Sequence, residues 1–389
     1  MWAVWAGVFF VVALLAELLR MSLLLVRGLK TQSRLEIASC PELTDPSPLV
    51  SIVIPAKDEA QNIERTVRSI LDSDYRNFEI LLVDDRSLDD TLPIMKCLAR
   101  HDSRIKVSSV TCRPADWTGK THALFNGTES ASGDILVFTD ADALWSSDVL
   151  SRSIGIFMSE DLDMLSLLPS FTRRGFAERV VYPHLALGLL SLYPLSDVND
   201  RHRSAAIASG CFIMIAMKTY DALGTWMKFR KTITEDVAMS KAIKERGGTL
   251  RVMRAGSLIR TAPFGSIYSV CRFWRRTFYG CLGKSVSKII RLFANYISLS
   301  LLCVIFVLSV LSVLRHGAGA PELILLVVSS TAMAAVIVPF SIFLKREGVS
   351  WLYGLTAPLG ILLSAWVTLS TLVAVAFGTG IEWRGSVYK

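Results

Sequence analysis

Along the first half of the chain, short runs of apolar residues alternate with amphipathic stretches. The runs are VSIVIP (Val50 to Pro55), EILLVD (Glu79 to Asp84), RIKVSSV (Arg104 to Val110), DILVFTD (Asp134 to Asp140), DMLSLLP (Asp163 to Pro169) and CFIMIAM (Cys211 to Met217). Runs this short and this continuously apolar predict strands covered on both faces, as in a parallel sheet. Between the first two runs, Ile63, Val67, Ile70 and Leu71 recur at helical spacing. The alternation predicts a doubly wound α/β fold with a mainly parallel sheet, over residues 45–265.

The flanks follow another pattern. Trp2 to Val26 is one apolar stretch, interrupted only by Glu17 and Arg20, and long enough for a transmembrane helix within residues 1–30. Arg27, Lys30 and Arg34 follow it and predict a cytoplasmic downstream side, hence a cytoplasmic domain in the plasma or inner membrane. After the domain, residues 266–293 are rich in Arg and aromatic residues and predict one membrane-surface helix. Three apolar segments fill 294–378 before a tail at 379–389. The last segment carries Pro358 and Gly360, which suit a re-entrant turn that would return the tail to the cytoplasmic side. Val180 to Leu195 is apolar but short and bracketed by Pro183 and Pro194, which predicts a shallow interfacial element. Transmembrane helices at both ends of an α/β domain thus complete the expected architecture.

Composition agrees: 52% of the 389 residues are hydrophobic and the formal net charge is +8. In a chain with spans, such an excess of basic residues belongs to a cytoplasmic or lipid-facing surface. No basic run interleaved with aromatics points to nucleic acid. The seven Cys residues form no C-x-x-C pair, as expected of reduced thiols.

The chemistry lies where strands end. In a doubly wound sheet, ligands bind beyond the carboxyl ends of the strands. Three strands end there in acids: Asp58 and Glu59 after Pro55, Asp84 and Asp85 after Val83, Asp140 and Asp142 after Thr139. Clustered carboxylates repel, and a hard divalent cation such as Mg²⁺ or Mn²⁺ relieves the repulsion while taking further ligands from a diphosphate. Lys120, ahead of an amphipathic helix in WTGKTHALFNG, suits phosphate oxygens. Glu235 and Asp236 open a helix whose Val237, Ala242 and Ile243 face inward, and a carboxylate there suits a general base.

In order, SIVIPAKDEAQNI, ILLVDDRSLDD, WTGKTHAL, FTDAD and TEDVAMSKAIKERG resemble a membrane-bound family 2 glycosyltransferase of GT-A fold. WTGK, the stretch Leu192 to Ile213 and the terminal EWRGSVY resemble the branch associated with hopanoid and carotenoid glycosylation; ceramide glucosyltransferases are similar more distantly. The resemblance implies a metal-dependent hexosyltransferase that inverts configuration, with a nucleotide-diphosphate sugar as donor and a membrane lipid hydroxyl (hopanoid, carotenoid, ceramide or diacylglycerol type) as acceptor. It places Pro55, Asp58, Glu59, Asp84, Asp85, Lys120 and Asp140 at the donor, Asp140 and Asp142 at the metal, and Asp236, with Glu235 beside it, at the chemistry. The family's Q/R-x-x-R-W motif is matched only in residue types, by Arg272, Trp274, Arg275 and Arg276, and its terminal basic pattern has Ser386 where a second basic residue is expected after Trp383. Arg272, Trp274, Arg275, Arg276 and Trp383 are acceptor or phosphate candidates. A polyprenyl-phosphate glycosyltransferase, a processive polysaccharide synthase and a non-enzymatic nucleotide-sugar binder are the alternatives.

Overall fold

A computed structural model of the chain describes residues 48–171, 175–283, 285–383 and 386–388. The expected N-terminal span at 1–30 lies outside the described residues.

In chain order the elements are β1 (Val50–Ala56), α1 (Ile63–Leu71), β2 (Phe78–Asp84), α2 (Thr91–His101), β3 (Ile105–Ser109), α3 (Gly119–Thr128), β4 (Ile135–Phe138), β5 (Ala143–Trp145), α4 (Val149–Ser159) and β6 (Met164–Phe171). Next come α5 (Tyr182–Leu192), β7 (Ile213–Ala216), α6 (Glu235–Glu245), β8 (Leu250–Thr261) and α7 (Ile267–Cys281). Then follow α8 (Val286–His316), α9 (Ala320–Arg346), α10 (Ala357–Ala376), β9 (Ile381–Trp383) and β10 (Ser386–Tyr388).

The chain divides into two compact units. One comprises residues 31–172 and 193–262. Its single sheet runs β3-β2-β1-β4-β7-β6-β8-β5. The expected runs all become strands, and β1, β2 and β4 are buried along nearly their whole length, as parallel strands between helices should be. Ile63, Val67 and Ile70 of α1 are fully buried beneath them. The sheet is mixed: β1–β2, β2–β3, β1–β4 and β6–β8 are parallel, whereas β7 lies antiparallel to both β4 and β6, and β5 to β8. That reversal brings the start of β7 beside the end of β4, with Phe138 opposite Ile213.

Glu79 staples the parallel half from within. Its Oε1 accepts from Ser51 Oγ and the Ser132 amide, both at 2.7 Å, and Oε2 meets Lys106 Nζ at 2.6 Å. Burial alone would raise its carboxyl, but Lys106, Ser51 and Ser132 together hold it below the usual range.

The second unit comprises residues 173–192 and 263–389, with 1–30. Among the described residues, three segments are long and apolar enough to cross a membrane: Val286–His316, Ala320–Arg346 and Trp351–Ala376. Val304, Val307, Leu308, Leu311 and Leu314 of α8 face outward, as lipid-facing side chains do. Between α8 and α9, Ser309 and Ser329 share a buried hydroxyl bond of 2.8 Å.

Two expectations need correction here. Residues 266–293 are not one surface helix: α7 stops at Cys281, and Val286 onward belongs to the long helix α8. Gly283, at φ +60°, lies in the break, a conformation that ends helices. Nor does the last segment turn back at Pro358. A 3₁₀ turn at Trp351–Thr356 leads into α10, and Pro358 falls in its first turn, where a missing amide costs nothing. α10 then runs 20 residues unbroken, about 30 Å. The short apolar element α5 is buried at Tyr182, His184, Leu185, Gly188 and Leu189. His184 stacks on Phe340 of α9 at 3.9 Å, and its carbonyl accepts from Tyr296 Oη of α8 at 2.8 Å.

Candidate active site

In the first unit, the loops after β1 and β2 are stitched to each other. Asp58 sits in the left-handed region at φ +55°, where its Oδ1 accepts the Leu88 amide at 2.8 Å and its own amide reaches Ser87 Oγ at 3.0 Å. The Glu59 amide donates to Thr91 Oγ1 at 2.8 Å, and Asp89 takes the Ala60 amide at 3.0 Å. Pro55 lies opposite Val83, and the next residue, Ala56, lies opposite Asp84, so Pro55 and Asp84 are one strand position out of register. Asp84 is buried and takes the Ser87 amide at 3.3 Å and Ser109 Oγ at 3.4 Å. Asp85 is buried against the Arg86 guanidinium, which reaches its Oδ1 at 2.8 and 2.7 Å. Asp85 Oδ2 lies so close to Gly119 that a side chain there would meet it at 2.3 Å. The first position of α3 is therefore glycine because the carboxylate occupies the space.

Thr118 caps α3, accepting the Thr121 amide at 3.2 Å, and its own amide donates to the Arg230 carbonyl at 2.7 Å. This fixes the next residue but one. Lys120 Nζ lies 2.7 Å from Asp140 Oδ1 and 2.8 Å from Glu235 Oε1. Burial disfavours its charge, but Asp140, Glu235 and Asp236 outweigh that and hold the ammonium protonated. Asp236 places both oxygens on backbone amides: Oδ2 on Gly210 at 2.9 Å and Oδ1 on Val237 at 2.8 Å. Val237, Ala242 and Ile243 are buried as expected. Lys120, Asp140, Glu235 and Asp236, distant in sequence, thus form one charged cluster.

Two residues of this cluster are absent from the sequence expectations. Cys211 Sγ donates to Asp140 Oδ2 at 3.4 Å, and its carbonyl accepts from Thr139 Oγ1 at 2.7 Å. Burial, then Asp140 and Asp142, push the thiol well up, so it stays protonated. Gly210 faces the cluster without a side chain; a Cβ would lie 2.7 Å from Lys120 Nζ. Both precede β7, whose antiparallel direction brings its amino end to the rim where parallel strands bring their carboxyl ends. A search restricted to residues after apolar runs passes over them.

Asp140 and Asp142 flank a turn closed by the Ala143 amide on the Asp140 carbonyl at 3.2 Å. Burial, then the charges of Asp140 and Glu59, push the Asp142 carboxyl up to about 7. Burial is the largest cause, and the two neighbouring carboxylates add to it. Among the described residues, no three His, Cys, Asp or Glu side chains form a set that would hold a metal by protein ligands alone. Mg²⁺ and comparable hard cations need only one or two carboxylates when waters and a diphosphate complete the shell. The Asp140–Asp142 pair fits that mode.

The acceptor candidates lie in the second unit. Trp274 is buried against Tyr182 at 5.2 Å and Phe278 at 5.5 Å. Arg272 is exposed and lies over Tyr268 at 5.8 Å; Arg276 lies over Phe273 at 5.8 Å. Arg275 is half-buried and its Nε has no hydrogen-bond partner. The backbone of β9, which holds Trp383, runs beside α7, so the tail returns to the helix that carries these arginines.

This mixed sheet, with acids from separate loops meeting at one rim, is of GT-A type, and residues 51–224 match the model of the glycosyl transferase family 2 domain. Residues 51–224, a little under half of the chain, are thus similar to a family 2 glycosyltransferase domain. The chain is similar to the amylovoran biosynthesis glycosyltransferase AmsB of Erwinia amylovora, 25% identical over 173 residues (43% of this chain, 53% of that protein). It is also similar to a beta-monoglucosyldiacylglycerol synthase of Trichormus variabilis, 34% identical over 122 residues (31% of this chain, 25% of that protein). The chain spans 44% to 53% of the length of the first three curated relatives it matches. Among solved structures, the mannosyltransferase PcManGT of Pyrobaculum calidifontis, in complex with GDP-Man and Mn²⁺, has a TM-score of 0.51 at 19% identity, covering 95% of this chain and 97% of that one. That likeness is one of fold.

Proposed function

We propose that the protein is an inverting glycosyltransferase that moves a sugar from a nucleotide-diphosphate sugar to a hydroxyl of a membrane lipid. The observation that carries this reading is the charged cluster of Lys120, Asp140, Glu235 and Asp236, within 2.7 to 2.8 Å across its ion pairs. It offers an ammonium for a departing diphosphate and a carboxylate for an arriving hydroxyl. The spans supply the membrane in which the acceptor dissolves, and the diacylglycerol-linked name of one relative supports a lipid acceptor.

Asp84, Asp85, Asp58 and Glu59 line the nucleotide end of the donor site. Asp236, held by two backbone amides, accepts the proton as the acceptor oxygen attacks the anomeric carbon opposite the diphosphate. One displacement inverts the configuration. Lys120 stabilises the charge that develops on the departing diphosphate. Asp140 and Asp142 would hold Mg²⁺ or Mn²⁺, which when bound neutralises diphosphate charge; the Mn²⁺ and GDP-Man of the structural neighbour support this assignment. Arg272, Arg275 and Arg276 serve lipid phosphate or headgroup oxygens, and the domain works on the cytoplasmic face of the plasma or inner membrane.

The test is incubation of the purified full-length protein with a panel of nucleotide sugars and a membrane lipid extract, followed by mass spectrometry. A new glycolipid is the expected product. Release of polymer, or no transfer from any donor, would overturn the reading. Retention of full activity in Asp236→Asn would instead favour a polyprenyl phosphate acceptor, which arrives already ionised and needs no base.

A further inference from the structure

The ion pairs of the cluster bear on the order in which the site fills. Both oxygens of Asp140 are engaged: Oδ1 by Lys120 Nζ at 2.7 Å, Oδ2 by Cys211 Sγ at 3.4 Å. The ammonium is also anchored on Glu235 at 2.8 Å, and the Gly210 backbone closes behind it. A divalent cation on Asp140 Oδ1 would stand at contact distance from that ammonium, and two positive charges so placed repel strongly. Among the described residues no set of three or more His, Cys, Asp or Glu side chains is arranged to hold a metal ion. Lys120 has the means to leave: a flexible four-carbon stem and a compact charge suited to phosphate oxygens.

We propose that Lys120 is a stand-in cation, which keeps a metal off Asp140 until a diphosphate arrives and draws the ammonium away. Metal and donor then enter as a coupled pair, and the free protein holds no resident metal. This rests on the reading of Asp140 and Asp142 as metal ligands serving a diphosphate. The exchange has a charge logic. The incoming diphosphate is an anion entering among carboxylates, so it needs more positive charge than Lys120 alone provides. Moving the ammonium onto phosphate frees Asp140 to receive the second cation. By linkage, whatever the diphosphate does for metal affinity, the metal does equally for diphosphate affinity.

The experiment is Mn²⁺ titration of the detergent-purified full-length protein followed by electron paramagnetic resonance of unbound Mn²⁺. It is run alone and with UDP or GDP as the probe, with nucleotide binding measured in parallel by calorimetry. The expected result for the native chain is weak Mn²⁺ binding alone and binding about tenfold or more tighter with nucleoside diphosphate, within the usual range of coupling between sites. In Lys120→Met, donor-free Mn²⁺ affinity should rise at least about fivefold and the coupling to nucleotide should shrink. Gly210→Ala keeps the charge but pushes Nζ off the acids, and should move donor-free affinity in the same direction. Equal Mn²⁺ affinity with and without diphosphate in the native chain, or donor-free affinity unchanged in both variants, overturns the stand-in role while leaving Asp140 and Asp142 as ligands. No Mn²⁺ binding under any condition, with nucleotide still bound, overturns the metal assignment and this inference with it.

Discussion

Asp236 and Gly210 are single positions on which the proposed chemistry turns. The Asp236 carboxylate accepts from two backbone amides, so an amide side chain of the same shape keeps an oxygen for them and leaves the surrounding backbone in place. Asp236→Asn should therefore keep donor affinity and lose turnover by about 10²–10⁴-fold, the usual worth of a general base. Calorimetry with the nucleoside diphosphate and a glycolipid assay separate the two effects. Gly210→Ala acts by displacement: its methyl group would stand 2.7 Å from Lys120 Nζ. The acids after β1, β2 and β4 were legible in the sequence because parallel strands deliver their carboxyl ends to the ligand side. Gly210 and Cys211 were not, because they reach that side through a reversed strand, and nothing local in S-G-C announces the direction of the strand after it.

At the scale of elements, the continuous apolar runs declared β1, β2, β4, β6 and β7, and helical spacing declared α1. β8 was hidden. Its LRVMRAGSLIRT places three Arg and a Gly among apolar residues, and it becomes a strand by pairing with β6 on one side and β5 on the other. β5 has only three residues, too few for any periodicity. Glu79 gives the parallel half a measurable dependence on pH. Its folded carboxyl lies below the ordinary value, so the stability it contributes is present above its unfolded value near ~4.3 and is lost as pH falls through the folded one. Glu79→Gln should destabilise by about 1–3 kcal/mol at neutral pH, and the difference from the native chain should shrink on acidification. Thermal melts at pH 7 and pH 3.5 check both parts (set on either side of the ~4.3 reference). In the helical unit, Tyr296→Phe removes the donor to the His184 carbonyl and should lower the melting temperature in detergent, at a cost of about 1–3 kcal/mol for the orphaned group.

For the whole molecule, three span-length helices and an α/β unit predict behaviour that fractionation reads directly. The protein should stay with membranes through alkaline carbonate extraction, since burying helices of this length is not reversed by charge. The proposed cytoplasmic placement has its own check. Cys97 and Cys112 are exposed on the sheet-bearing unit. A membrane-impermeant maleimide should label them in inside-out vesicles and not in intact cells; the opposite pattern would place the domain outside.

The antiparallel seating of β7 makes the rim vulnerable in a way that loops alone are not. Neighbouring residues of a strand point to opposite faces, so one extra residue ahead of Ile213 would send the whole strand to the wrong face or push Gly210 and Cys211 along the rim. An insertion at this seam should abolish the proposed transfer while the fold survives, whereas a length change in the turn at 201–202, exposed at some remove in sequence, should be absorbed. Tolerance to indels would then map the working edge of the sheet more sharply than point substitutions do.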